Sequence, residues 1–356
     1  MLLAILAIIL TLILVIGVHE AGHALAAWFF GVKIKRIAIG FGRPLFTWKR
    51  QHGCEYVWAL WPLGGFVTLL NSRTAPVASS EYPYCFDKQA IWVRIAILLA
   101  GSLANLVCAF LLFVLVFLVG ISFKMPLIQQ IQANSIAAQA GLKVGDQFLA
   151  INSKATPTWQ DVGMQLIENW GTKNVALTVR SQKGLEKNLV LNLNKVQFSA
   201  KDSNLLNSLG IKANKQAPKR LLQASSLYDA IKQAGCRISN LVHLFFKTIE
   251  QLFMGIIPFS ILLGPLGFLE VASSSFIYGL SVFLYFIATL SITVAVFNLM
   301  PLPVLDGGSI IYTVIEKIRK KPVSIAFELL IHRLLVIAFC LLLVHLFTND
   351  LARLHL

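Results

Sequence analysis

Four stretches of about twenty or more apolar residues constrain this chain before anything else: Leu2 to Phe30, Ile91 to Ile121, Gly279 to Met300 and Ile325 to Phe347. A segment of that length and character crosses a bilayer as a helix, since the hydrocarbon offers no water to an open backbone. The composition agrees: a chain that is 57 % hydrophobic and 13 % charged, with a mean hydropathy of +0.73, lies outside the soluble globular range. The first stretch has no basic leader and no small-residue cleavage site, so it is expected to stay as a span and not to be removed as a secretory signal.

The formal net charge of +15 reports topology rather than nucleic-acid binding, because the basic residues are scattered and no nucleic-acid motif accompanies them. Lys33, Lys35, Arg36, Arg43, Lys49, Arg50, Arg73 and Lys88 lie between the first two spans, and Lys317, Arg319, Lys320 and Lys321 between the last two. By the positive-inside rule both of these connections are cytoplasmic, which leaves the termini and the long segment between spans two and three outside. Five cysteines at unrelated spacings imply no disulfide framework and no zinc knuckle.

The expected fold class is a multi-pass α-helical membrane protein of about four transmembrane helices, with a membrane-associated β-hairpin region and an inserted α+β domain. The domains divide at 1–30 (first span), 31–90 (β region), 91–121 (second span), 122–215 (inserted domain) and 216–278 (linker and amphipathic helices). Then follow 279–308 (third span), 309–324 (cytoplasmic loop), 325–348 (fourth span) and 349–356 (tail). Within 31–90, "CEYVWALWPLGGFVTLL" reads as strand, turn, strand, either dipping back into the membrane beneath other protein or forming a small cytoplasmic meander. Within 122–215, Ser135 caps a short helix that ends before Gly141, a strand runs from Gln147 to Asn152, a helix covers Trp159 to Asn169, and strands follow near 174–180 and 185–193. The stretch "NSIAAQAGLKVGDQFLAIN" resembles a PDZ domain of the circularly permuted bacterial kind, which implies a groove for an extended peptide or chain end. After it, Leu227, Ile231, Ala234, Ile238, Leu241, Phe245, Ile249 and Phe253 form an apolar stripe at helical spacing, suited to a membrane surface or to the underside of that domain.

The chemistry concentrates in "HEAGH" at the end of the first span. His19 and His23 stand at i and i+4 on one helix face, near enough to share a metal, with Glu20 beside the position of its water. Zinc catalysis asks for a third protein ligand. Asp306, in "FNLMPLPVLDGG", is an acidic residue at the end of another span, and the topology above puts spans one and three in the same direction, so it falls at the depth of the histidines. Ionised groups in a bilayer cost roughly 2.5–3.5 kcal/mol each near its centre, which a bound Zn2+ offsets. Asn105 in the second span is read either as a hydrogen-bonding group near this site or as glue between helices.

HExxH in the first span together with "NLMPLPVLDGG" in the third resembles the site-2 family of intramembrane zinc metalloproteases. Through "GFGRPLF", "EYVWALWPLGGFV", "LLGPLGF" and "PLPVLDGG" the nearer likeness is to its bacterial members that regulate a sigma factor. The resemblance implies that His19, His23 and Asp306 bind zinc, that Glu20 is the general base and that Asn298 holds substrate backbone. It also implies transmembrane helical substrates, such as a single-span anti-sigma factor or remnant signal peptides, and a place in the bacterial inner membrane with the PDZ domain periplasmic. A helical substrate must unwind to be cut, and the strand from Glu55 to Trp61, with Tyr56, Val57 and Trp58, offers an edge on which it can pair. Two departures stand out: one PDZ domain where the familiar bacterial member has two, and serine in "GSLAN" where the family shows proline. The competing classes are a metal or proton transporter and a membrane-anchored PDZ scaffold. A transporter predicts inverted repeats, which the sequence does not show.

Overall fold

The computed structural model describes residues 2–49, 53–196 and 205–354. Along the chain run α1 (Leu2–Phe29), β1 (Ile34–Lys49), β2 (Glu55–Leu69), α2 (Ile91–Val119), β3 (Ile121–Lys124) and β4 (Ile128–Ile131). Next come α3 (Ile136–Gln139), β5 (Gln147–Ile151), β6 (Lys154–Ala155), α4 (Trp159–Glu168), β7 (Val175–Arg180) and β8 (Glu186–Leu191). They are followed by α5 (Leu205–Ser208), β9 (Ile211–Ala213), β10 (Lys219–Leu222) and α6 (Leu227–Phe253). The chain finishes with α7 (Pro265–Ile277), α8 (Leu280–Asn298), α9 (Asp306–Arg319) and α10 (Ile325–Leu354). Two compact units result, Met1–Val116 with Leu269–Leu342, and Phe117–Phe268 with Leu343–Leu356.

The first unit is built on apolar helices. Among the described residues four helices are long and apolar enough to cross a membrane, within α1, α2, α8 and α10. Ala7 and Val15 of α1 pack with Phe283 and Ile287 of α8. Ala27 of α1 packs with Val93 and Ile97 of α2, and Phe30 meets Trp92 edge to face. Arg73 donates to the Val323 carbonyl at 2.7 Å and to Glu328 at 2.9 Å, which fixes the start of α10.

The β region is more elaborate than strand, turn, strand. Residues 34–39 of β1 pair antiparallel with 65–69 of β2, Ala38 opposite Phe66, while the second arm of β1, 44–49, pairs antiparallel with 55–59, Trp48 opposite Tyr56. The first arm is also in register with 55–58, with Ala38 opposite Val57. The arms therefore lie side by side in the order 65–69, 34–39, 55–59, 44–49, and the segment from Tyr56 to Trp58 is interior. The sequence had suggested a free edge there; instead both its sides are occupied, because β1 bends back and clasps it.

The second unit has a four-stranded sheet in the order β6-β5-β7-β8, with two-stranded ladders β3–β10 and β4–β9 beside it. Phe148, Ile151, Val162, Leu166, Trp170 and Leu177 fill its core. Ser135 caps α3 by accepting from the Ala138 N–H, and Thr158 caps α4 in the same way through Asp161. The long α6 docks through polar groups as well as through Leu252 on the core: Arg237 on Asp161 at 2.8 Å, Gln251 on the Ile167 carbonyl at 2.8 Å and His243 on Glu168 at 3.0 Å. The apolar stripe read from sequence is thus not simply its buried face. Ala230 and Ala234 are buried, whereas Leu227 is 59 % and Phe253 84 % exposed. Asp350 of α10 accepts from the N–H groups of Gly264 and Gly267 at 3.1 and 3.0 Å, and so caps the head of α7.

Candidate metal centre

One face of α1 carries His19 and His23, and their Nε2 atoms stand 3.2 Å apart. Asp306 Oδ2 lies 3.1 Å from the first and 3.2 Å from the second. Three lone-pair atoms so close cannot all be satisfied by one another, because they repel unless a proton or a cation sits among them. The tautomer of His23 is legible: its Nδ1 is 2.7 Å from the Ile97 carbonyl, so Nδ1 carries the hydrogen and Nε2 presents its lone pair to the cluster. Ligands on a tetrahedron with bonds of about 2.0–2.1 Å are spaced by roughly 3.3 Å, close to what is seen here. The donor set fits zinc, with two imidazoles and one carboxylate and room for a further ligand.

Asp306 reaches this place by a break in the chain. Its expected position was within a third span running through residue 308, but α8 stops at Asn298, a proline-containing turn follows, and Asp306 is the first residue of α9. The stretch 309–324, expected as a loop, is for the most part the body of α9. Gly307 and Gly308 make the turn possible, since a Cβ on either would fall on the backbone of Leu299 and Met300 or of Leu302. Arg94 of α2, buried at 6 % exposure, donates to Glu316 at 3.0 Å and to Thr313 at 3.4 Å, and so holds α9 against α2.

Glu20 lines the same cavity of about 410 Å³ as the three cluster residues. Its Oε2 accepts from the Val67 N–H at 2.8 Å. Asn298 is also in the wall, with its amide nitrogen turned back onto the Val294 carbonyl at 3.0 Å. Phe66, Val67 and Leu69 of β2 line the cavity, whereas Tyr56, Val57 and Trp58 do not. Sequence reasoning read "GGFVTLL" as the second strand of the hairpin but did not place it at the cavity. It also missed Gly101 of α2, whose missing side chain leaves space that the rings of His19 and His23 fill.

A helical membrane unit that gathers two histidines, a carboxylate and a glutamate in one cavity belongs to the class of membrane-embedded metalloproteases. Comparison with known proteins gives the family: residues 7–343 match the model of peptidase family M50, and the chain belongs to that family. It is 28 % identical to the regulator of sigma-E protease RseP of Escherichia coli, over 97 % of this chain and 98 % of that protein. It is 26 % identical to the regulator of sigma E protease of Haemophilus influenzae, over 97 % of this chain and 98 % of that one. A Vibrio cholerae protein whose name describes a zinc metalloprotease is 27 % identical over 89 % of this chain and 91 % of its own length. The Escherichia coli alignment runs to 439 positions against 356 residues here, so a good part of that relative has no counterpart in this chain. The protein is a zinc metalloprotease of the intramembrane kind.

Proposed function

We propose that His19, His23 and Asp306 hold the zinc and that Glu20 is the general base for hydrolysis of a peptide bond in an unwound transmembrane segment. The convergence of His19 Nε2, His23 Nε2 and Asp306 Oδ2 within 3.2 Å carries this reading. Bound zinc supplies Lewis acidity toward the scissile carbonyl and lowers the pKa of water. Glu20 takes the proton of the attacking water and returns it to the leaving amine. Because the Val67 N–H holds Oε2, the carboxylate is oriented with Oε1 available for that proton.

Substrate binds by adding a strand to residues 65–69 rather than to 55–61. In an extended strand the N–H and C=O of one residue point to the same side, so the contact of the Val67 N–H with Glu20 supports an outer edge whose Val67 carbonyl faces the cavity. An unwound segment needs such partners, since its backbone has left its own helix. Asn298 contributes a side-chain carbonyl to the same segment.

The segment 122–215 acts as a PDZ domain that receives an extended peptide or chain end and screens substrates on the periplasmic side of a bacterial inner membrane. The order of its elements and the Ser135-capped helix support this assignment. Substrates are single-span proteins such as an anti-sigma factor, or remnant signal peptides, in regulated proteolysis. The test separates hydrolysis from metal transport. Glu20→Gln should retain zinc near one per chain while cleavage of single-span substrates falls by about 10²–10⁴; Asp306→Asn should weaken zinc itself. Undiminished, chelator-sensitive proteolysis in Glu20→Gln would refute the mechanism.

A further inference from the structure

The two histidines are treated unequally by their surroundings. His23 gives its Nδ1–H to the Ile97 carbonyl, whereas His19 Nδ1 is buried without a protein hydrogen-bond partner among the described residues. Asn105 of α2 is 0 % exposed, and both its amide nitrogen and its amide oxygen are likewise without one. Each orphan costs about 1–3 kcal/mol if left so, and more in a bilayer interior.

The helix register brings them together. Phe30 meets Trp92, His23 meets Ile97, and Gly22 lies against Ala100 and Ala104, so α1 and α2 run antiparallel. Gly101 faces the rings of both histidines. One turn back along α1 from His23 is His19, and one turn onward along α2 from Gly101 is Asn105. The same step on both helices therefore sets Asn105 against His19.

We infer that the Asn105 side-chain oxygen receives the Nδ1–H of His19 through one ordered water and holds that imidazole with Nε2 toward the metal. Asn105 is thus a positioning residue for the zinc site, the counterpart of the Ile97 carbonyl at His23. This rests on the reading of His19 as a zinc ligand. The need is physical: a ligand imidazole whose distal N–H has no acceptor is free to rotate and is less basic, and such outer partners are worth about 10–100-fold in metal affinity.

The test uses the full chain in detergent, with zinc affinity measured by chelator competition and with the Nδ1–H of His19 followed by NMR on ¹⁵N-histidine-labelled protein. Asn105→Leu keeps the size and removes the acceptor, and should weaken zinc by about 10–100-fold. Asn105→Asp keeps an acceptor at the same reach and should stay within a few-fold of the parent. A folded Asn105→Leu protein with the parent's zinc affinity overturns the inference, as does an Asn105→Asp protein that loses as much as Asn105→Leu. Those losses without any change at His19 Nδ1–H would mark Asn105 as helix glue only. Should Asn105→Leu not fold, the Asp variant decides alone: an unmoved His19 Nδ1–H resonance there overturns the inference. A parent chain that binds no zinc, or binds it equally well as His19→Ala, would instead sink the ligand reading itself.

Discussion

Replacing Gly101 by alanine adds a single methyl group to the protein and should disable its metal centre. A Cβ built on Gly101 would fall closest to Nε2 of His23, with Cε1 of His19 and Cε1 of His23 next at 2.8 Å. Ordinary contact between such atoms begins near 3.4 Å, so ring or helix must retreat by at least about 0.6 Å, and by more at His23 Nε2, several times the roughly 0.2 Å tolerance of a metal–ligand distance. Overpacking of this kind costs about 1–3 kcal/mol, and if the retreat is taken by the rings the zinc affinity falls by about 5–150-fold. Chelator competition on the purified full chain measures it. Gly17→Ala on the exposed side of α1 is the matched control, since its Cβ would meet nothing within 4 Å; it should leave zinc binding and thermal stability essentially as they are. A Gly101→Ala protein that binds zinc as tightly as the parent would refute the reasoning, because it would mean that the rings do not occupy this space in the loaded enzyme.

Breaking the Arg94–Glu316 pair should also be costly: Glu316→Ala strands a guanidinium that is 6 % exposed and should lower stability by about 2–3 kcal/mol in detergent unfolding, while Arg94→Leu with Glu316→Leu regains most of it. A single variant as stable as the parent would deny that the pair holds α9. Acid should loosen α6 from α4 through Glu168. Burial opposes ionisation of this carboxyl, but Lys154, Gln165 and His243 outweigh it and hold its pKa below the ordinary value. With the folded pKa below the unfolded one, this stabilisation is full above about pH 4.5 and is lost as pH falls through the folded value. Hydrogen exchange in α6 should therefore rise below that pH in the parent and change less in Glu168→Gln; equal pH profiles would contradict the assignment.

The helices and the cluster were legible in the sequence because each rests on local or one-dimensional information. An apolar run of sufficient length declares a span, and H-E-x-x-H on a helix sets two imidazoles on one face by spacing alone. Asp306 could be joined to them because topology sets depth. What the sequence hid depends on pairing between distant segments. No pattern within "EYVWALW" says that both of its sides are covered, since that follows from β1 folding around it. The end of α8 at Asn298 and the restart at Asp306 were hidden for a related reason: apolar residues continue through Leu299, Met300 and Leu302, and only the prolines and the two glycines mark the turn. Likewise the stripe on α6 suited either a membrane surface or the underside of the inserted domain, and nothing in it said that Arg237, His243 and Gln251 would find partners on α4.

The cluster is assembled from segments far apart in sequence, His19 and His23 on the first span and Asp306 just past the third. During synthesis the histidine pair enters the membrane first, and it stays an incomplete centre until α8 has been inserted and α9 has closed against α2. On that reading, a nascent chain is silent toward the membrane proteins being inserted around it. For the proposed zinc site, competence waits on the segment that carries Asp306, which makes the order of the elements along the chain a timing device for a potentially destructive activity.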